Sequence, residues 1–302
     1  MPQVKLTIGS RGSALALWQA NYVAVRLQEL GVSTGIEIIK TMGDRLQTAS
    51  LVKAGGKGLF TKEIEEALLG GTIDVAVHSL KDLPTEPVAG LAIAAIPERE
   101  DARDVLLGYS LQTLPRGARV GASSQRRSAQ LLALRPDIRI EPIRGNVDTR
   151  LRKLKEGRYD AILLAAAGLN RLGLASEIAE YFLLEQMCPA AGQGALAIQT
   201  REGGPARDLC AQLNHFSTER AVACERALLA ALGGGCQLPV GAYAEMAADQ
   251  LRLTAVVASP DGSKVIRDRA IGPVSQAEQL GSALAADFLA RGAAEILESH
   301  VA

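Results

Sequence analysis

The chain has 302 residues with 33 Lys and Arg against 33 Asp and Glu, so its formal net charge is zero at neutral pH; that balance argues against a general polyanion binder such as a nonspecific nucleic-acid protein. Hydrophobic residues make up 48% and charged residues 22%, which excludes disorder as the main state, and the length suits about two domains, or three if one is small. With 3% aromatic residues the cores have to be built from Ala, Val, Ile and Leu, and base-stacking platforms lack material.

Val4 to Ile8 alternates with period two, breaks at Gly9-Ser10-Arg11-Gly12-Ser13, and is followed by Leu15, Trp18, Tyr22 and Val25 at helical spacing. This predicts strand, polar loop, helix. A second strand is expected over 36–39, then a Gly-rich stretch, Lys53-Ala54-Gly55-Gly56-Lys57-Gly58, and a helix over 61–69. Gly71-Thr72-Ile73-Asp74 opens the apolar run Val75-Ala76-Val77, which ends in His78-Ser79-Leu80-Lys81-Asp82-Leu83-Pro84.

The same order returns about 110 residues later, the sign of a weak internal duplication. Arg119-Val120-Gly121 reads as strand, Ala122-Ser123-Ser124-Gln125-Arg126-Arg127 as loop, and Leu131, Leu132 and Leu134 as helix. A strand over 138–143 meets the loop Arg144-Gly145-Asn146, a helix over 149–155 follows, and Gly157-Arg158-Tyr159-Asp160 opens the run Ala161-Ile162-Leu163-Leu164. Each copy is expected to be an α/β unit of parallel strands joined by crossover helices. Crossings between the lobes are placed at 97–101 and 189–194, and two crossings make a hinge. After Ser217 a helix over 219–232, the loop Gly233-Gly234-Gly235-Cys236, strands over 251–258 and 265–271 and a helix over 276–289 form a small α+β unit. The expected domains are 1–98 with 193–214, 99–192, and 215–302.

Two strand–loop–helix corners, at Ser10–Ser13 and Ser123–Arg127, combine unpaired N–H groups, a hydroxyl and a guanidinium, the chemistry that holds a carboxylate or phosphate. Taken singly, each reads first as a plain N-cap beside a solvated arginine, and two corners in equivalent positions reverse that preference. Arg11, Lys53, Lys57, Lys81, Arg126, Arg127, Arg144 and Arg150 come from separate strand-end loops, so a ligand with several negative charges is one reading and surface ion pairing the other. Asp82 is either a salt-bridge partner or an acid–base group facing a cationic intermediate. Cys236 sits among glycines that permit close approach, the context of a nucleophilic thiol, whereas Cys188, Cys210 and Cys224 read as buried and inert.

Several motifs fail. No C-x-x-C pair exists and His78, His215 and His300 stand far apart, so no metal site is expected. Gly192-Gln193-Gly194-Ala195-Leu196-Ala197 has no preceding strand to make it a dinucleotide loop. No leader-like stretch opens the sequence and no window approaches about 18 apolar residues, so a cytoplasmic protein without a membrane span is expected.

In their combined order, Gly55-Gly56-Lys57-Gly58-Leu59-Phe60, His78-Ser79-Leu80-Lys81-Asp82-Leu83-Pro84, Ser123-Ser124-Gln125-Arg126-Arg127, Arg144-Gly145-Asn146-Val147 and Gly234-Gly235-Cys236-Gln237-Leu238-Pro239 closely resemble the porphobilinogen deaminase (hydroxymethylbilane synthase) family, nearly end to end. The resemblance implies two α/β lobes like those of periplasmic binding proteins, a hinge, and a small C-terminal α+β domain. It implies a dipyrromethane cofactor attached by a thioether to Cys236, with Asp82 as the catalytic carboxylate. Lys81, Ser13, Ser124, Arg126, Arg127, Asp82, Arg144 and Gln193 are then expected on the cofactor, and Arg11, Lys53, Lys57, Arg144, Arg150 and Arg171 on the substrate's acetate and propionate groups. The family often has Thr where this chain has Ala122, which removes one hydroxyl. The implied reaction joins four porphobilinogen molecules stepwise and releases hydroxymethylbilane to uroporphyrinogen-III synthase; a monomer without nucleic-acid or membrane partners is expected. The rival from another class is a noncatalytic, two-lobed carboxylate-binding protein.

Overall fold

A computed structural model describes residues 4–45, 61–234 and 238–298. Its strands are, in chain order, β1 (Lys5–Ser10), β2 (Ser33–Ile38), β3 (Val75–Ser79), β4 (Leu91–Ala95), β5 (Asp104–Leu107), β6 (Arg119–Gly121), β7 (Arg139–Glu141), β8 (Ala161–Ala165), β9 (Glu180–Tyr181), β10 (Leu196–Arg201), β11 (Val240–Ala247), β12 (Gln250–Ala258) and β13 (Val265–Pro273). Contacts divide the chain into two compact units: residues up to Arg99 with Ala195–Glu219, and Glu100–Gly194 with residues from Arg220 onward. The chain passes between the units after Arg99, after Gly194 and after Glu219.

In the first unit the sheet order is β2-β1-β3-β10-β4. β1 runs parallel to β2 and β3, whereas β10 is antiparallel to both β3 and β4. Alternation along the strands sorts the two faces. Val75 and Val77 join Leu6, Ile8 and Ile198 under the helix Ala14–Glu29, which contributes Ala20, Val23 and Leu27. Ala76 faces the other way, against Ile64 and Leu68 of the helix Lys62–Leu69.

The second unit repeats this plan with β7-β6-β8-β5-β9. β6 is parallel to β7 and β8, and β5 is antiparallel to β8 and β9. Strand for strand, β6, β7, β8, β5 and β9 stand where β1, β2, β3, β10 and β4 stand in the first unit. The duplication read from the motifs therefore extends to the sheets. The expected parallel strands are present in each sheet, and each has two further strands, with antiparallel pairing. β5 is an unbroken four-residue buried run, Asp-Val-Leu-Leu, and such a run carries no alternation to separate it from a buried turn of helix.

Beyond Arg220 the second unit holds an antiparallel sheet, β11-β12-β13. Leu251, Leu253, Ala255 and Val257 of β12 share one core with Leu228 of the helix Phe216–Ala231 and with Leu284 and Phe288 of the helix Ala277–Ala290. The architecture is thus mixed α/β in two related lobes with a C-terminal α+β part, as expected. Among the described residues, no helix is long and apolar enough to cross a membrane.

Candidate active site

In the first unit, β1 and β3 are parallel neighbours, so the loops that leave them emerge at the same sheet edge. Ser13, after β1, is the N-cap of the helix Ala14–Glu29 and accepts a hydrogen bond from the Ala16 N–H at 3.3 Å. Its hydroxyl does what a capping serine does. Arg11 precedes it, half-buried. After β3 the chain makes one turn of 3-10 helix, Leu80–Asp82. Leu80 and Leu83 are buried, and the Leu80 N–H donates to the Ala195 carbonyl at 3.0 Å. With both leucines anchored inward, the turn leaves Lys81 half-buried and Asp82 exposed. A carboxylate in that position is open to a ligand, and a lysine stands beside it.

Behind this turn lies a buried polar chain that sequence reasoning did not assemble. His78 Nε2 lies 3.0 Å from Gln199 Oε1, and Gln199 Nε2 donates to Glu65 Oε1 at 3.3 Å. Because the amide nitrogen is committed to Glu65, its oxygen faces His78, and Nε2 is the protonated ring nitrogen. Burial lowers the imidazole's pKa to about 4; the bond to Gln199 opposes the shift and the nearby Arg11 charge adds to it. The ring is neutral at physiological pH.

The second unit places Ser124 at the equivalent N-cap, before the helix Gln125–Leu134, but its side chain makes no capping bond. Among the described residues that hydroxyl has no capping duty, unlike that of Ser13. Arg126 and Arg127 occupy the first turn and are only 3% and 7% exposed. Both turn onto Asp104, which is fully buried. Arg126 donates Nη1 to Oδ2 at 2.5 Å and Nη2 to Oδ1 at 3.2 Å, while Arg127 donates Nε to Oδ1 at 2.8 Å. Topology explains the meeting: β5 is antiparallel, so its first residue, Asp104, pairs with Ala165 at the end of β8, on the rim where the helix begins. Burial opposes ionisation of Asp104, but the two guanidiniums outweigh it and hold the carboxyl far below the usual range. Gln193, also fully buried, donates Nε2 to Asp104 Oδ1 at 2.9 Å and to the Ala102 carbonyl at 2.7 Å. One donor remains: buried Arg126 Nε has no hydrogen-bond partner among the described residues.

Ser123 links this corner to the next loop, donating Oγ to the Ile143 carbonyl at 2.5 Å and accepting from the Ile143 N–H at 3.1 Å. Arg144 follows. Its carbonyl accepts from Lys153 Nζ at 2.9 Å, which fixes the backbone and leaves the half-buried side chain unengaged by the described residues. Arg150 donates Nε to the Gly145 carbonyl at 2.8 Å, a turn-stabilising role. Arg171, 9% exposed, donates Nη2 to the Gly194 carbonyl at 2.7 Å and so braces the loop that carries Gln193. The same loop is held by buried Glu225, which accepts from the Gly192 N–H at 2.7 Å and the Ala244 N–H at 2.8 Å.

The structure thus brings Arg11, Ser13, Lys81 and Asp82 to one sheet edge of the first unit, and Ser124, Arg126, Arg127, Gln193 and Arg171 together in the second, with Arg144 tethered alongside. Lys53, Lys57 and Cys236 lie outside the described residues. Cys188, Cys210 and Cys224 are free and buried, and burial pushes each thiol up to about 12, which makes them inert. Asp104 and Glu225 were missed because a lone acid beside a short apolar run carries no signature. An orphan donor, a spare hydroxyl and half-buried cations at strand ends are each suited to a ligand carboxylate.

Residues 6–207 match the family model described as porphobilinogen deaminase, dipyromethane cofactor binding domain, and residues 220–290 match that of porphobilinogen deaminase, C-terminal domain. A porphobilinogen deaminase of Geobacter metallireducens is 50% identical over 98% of this chain and 95% of its own. One from Pelobacter propionicus is 50% identical over 99% and 98%. Among solved structures, an ABC-transporter periplasmic substrate-binding protein from Coxiella burnetii is similar at 14% identity, with a TM-score of 0.44, over 69% of this chain and 91% of that one.

Proposed function

The chain belongs to the porphobilinogen deaminase family, and from that premise we propose that it acts as a hydroxymethylbilane synthase, a transferase that deaminates porphobilinogen, joins four of the units head to tail on a dipyrromethane primer, and releases the linear tetrapyrrole by hydrolysis. The observation that supports this at the site is the buried Arg126 guanidinium, whose Nε has no partner among the described residues although Asp104 occupies its other edge. A buried donor without an acceptor costs on the order of 1–3 kcal/mol; a carboxylate of the primer would remove that cost. The spare Ser124 hydroxyl and the unengaged Arg144 fit the same group.

When bound, the dipyrromethane supplies the free pyrrole carbon to which units are added, and Cys236 is its proposed anchor. A thioether resists the hydrolysis that releases product, which is a reason for sulfur at that position. Ser13, Lys81, Ser124, Arg126, Arg127, Arg144 and Gln193 are assigned to its carboxylates and their support, and Arg11, Lys53, Lys57, Arg144, Arg150 and Arg171 to those of the substrate. Asp82 is assigned the catalytic role. Loss of ammonia places positive charge on a pyrrole nitrogen, and an exposed carboxylate on an anchored turn stabilises that charge and accepts or returns protons. Lys81 beside it binds acidic side groups. Each pyrrole carries two carboxylates, so local cations matter although the whole chain is neutral. We place the domains at 1–98 with 193–214, 99–192 and 215–302, and the protein in the cytoplasm as a monomer that passes its product to uroporphyrinogen-III synthase.

Intact mass is the first test. Wild-type protein should exceed its sequence mass by two linked pyrroles, and Cys236→Ser should not. An unmodified wild type that stays unmodified with porphobilinogen would instead support a noncatalytic carboxylate-binding relative. Asp82→Asn should keep the added mass and bind substrate, with kcat lowered by about 100-fold or more; near-normal turnover would remove Asp82 from the mechanism.

A further inference from the structure

The shared plan of the two sheets shows what is particular to the second. Leu196, paired with Ser79, stands where Asp104 stands. Leu15 and Ala16, two and three residues after the capping Ser13, stand where Arg126 and Arg127 follow Ser124. The first unit fills this corner with apolar side chains, whereas the second buries two guanidiniums and one carboxylate. Two like charges on one helical turn, both nearly solvent-free, do not stay folded inward without a counter-charge.

We propose that Asp104 is a positioning residue, an internal carboxylate that holds the Arg126–Arg127 pair inward and aimed before the carboxylates of the dipyrromethane group arrive. This rests on the functional reading above. Charge counting explains why one acid stands there. Asp104 pairs with both guanidiniums and offsets one of their two positive charges, and a ligand carboxylate adds a second. Geometry gives the direction: Asp104 takes both Nη atoms of Arg126 and the Nε of Arg127, and Arg126 Nε is left over. Gln193 fixes Asp104 from the other side through Nε2, and the Cys188 carbonyl accepts from Arg126 Nη1 at 2.7 Å. The arginines therefore cannot swing out without breaking this network.

The test compares thermal unfolding of wild type and Asp104→Asn in two forms: the cofactor-loaded enzyme, its loading checked by intact mass, and Cys236→Ser protein made in cells that form no porphobilinogen. Asp104→Asn should lower the Tm of the cofactor-free form by about 10 °C and that of the loaded form by less than half as much, because bound carboxylates replace the missing charge. Equal losses in the two forms would make Asp104 merely structural and overturn the proposal. If neither form of Asp104→Asn folds, Asp104→Asn with Arg127→Gln restores the cluster's charge; a folded cofactor-free double variant supports the proposal and an unfolded one overturns it. A wild type without the two-pyrrole mass would remove the functional reading instead.

Discussion

His78 and Asp82 lie on opposite sides of one short turn and differ in what surrounds them. Asp82 is exposed, and its chemistry depends on what binds. His78 is buried with Gln199 and Glu65, and its chemistry depends on the fold. Its folded pKa of about 4 lies below the unfolded value of about 6.5, so the unfolded chain takes up a proton that the native ring refuses. Stability therefore falls as pH drops through this interval and is unaffected by His78 above it. Between pH 7.5 and 5.0 the loss from this one group is about 2 kcal/mol. His78→Gln, which can still bond Gln199, should lack that loss. Trp18 is the chain's single tryptophan and stacks on Tyr22 at 5.5 Å within the first unit, so its fluorescence reports urea unfolding there. Equal pH sensitivity of wild type and His78→Gln would show that His78 is not the group responsible.

Among the elements, the two helices of the C-terminal part meet closely because one residue has no side chain. A Cβ added to Gly281, on the helix Ala277–Ala290, would lie 2.2 Å from the Cys224 carbonyl oxygen and 2.9 Å from the Leu228 nitrogen on the helix Phe216–Ala231. Backbone cannot yield locally, so the helices must separate and loosen the core formed by Leu228, Leu284 and Phe288. Gly281→Ala should destabilise the second unit by about 2–3 kcal/mol, in the range of overpacking strain, without moving the transition reported by Trp18. Gly35→Ala on β2 is the control: nothing lies within 4 Å of its added Cβ, and the change should be neutral within about 0.5 kcal/mol. An equally mild Gly281→Ala would mean that the helices tolerate separation.

At the scale of the molecule, the duplication was legible because each copy spends its polar residues in the same place, at a loop that opens a helix. The strands β5 and β10 were not, since short runs buried on both faces lack periodicity. Arg126 and Arg127 were legible as cations but not as partners of Asp104, because an antiparallel return strand, invisible in the local pattern, brings the acid to them. The family models meet the chain in two blocks, ending at 207 and beginning at 220, and that break invites a cut after Glu219. The structure argues against it. The residues beyond Arg220 belong to the same compact unit as Glu100–Gly194. Arg267 Nη2 donates to Gln130 Oε1 at 3.1 Å, the Ala242 N–H donates to the Pro189 carbonyl at 2.9 Å, and Glu225 holds the Gly192 N–H. The turn at Gly262 is equally close, since a Cβ there would lie 2.4 Å from the Ala133 nitrogen. A fragment of residues 1–219 would expose the back of the helix Gln125–Leu134 and orphan buried groups in the loop that carries Gln193. Its first unit should retain the cooperative transition seen by Trp18, while amides in 100–194 lose hydrogen-exchange protection by 100-fold or more, a shift of about 3 kcal/mol or greater in local opening. Protection across 100–194 equal to that of the full chain would show that the second lobe stands without the C-terminal part.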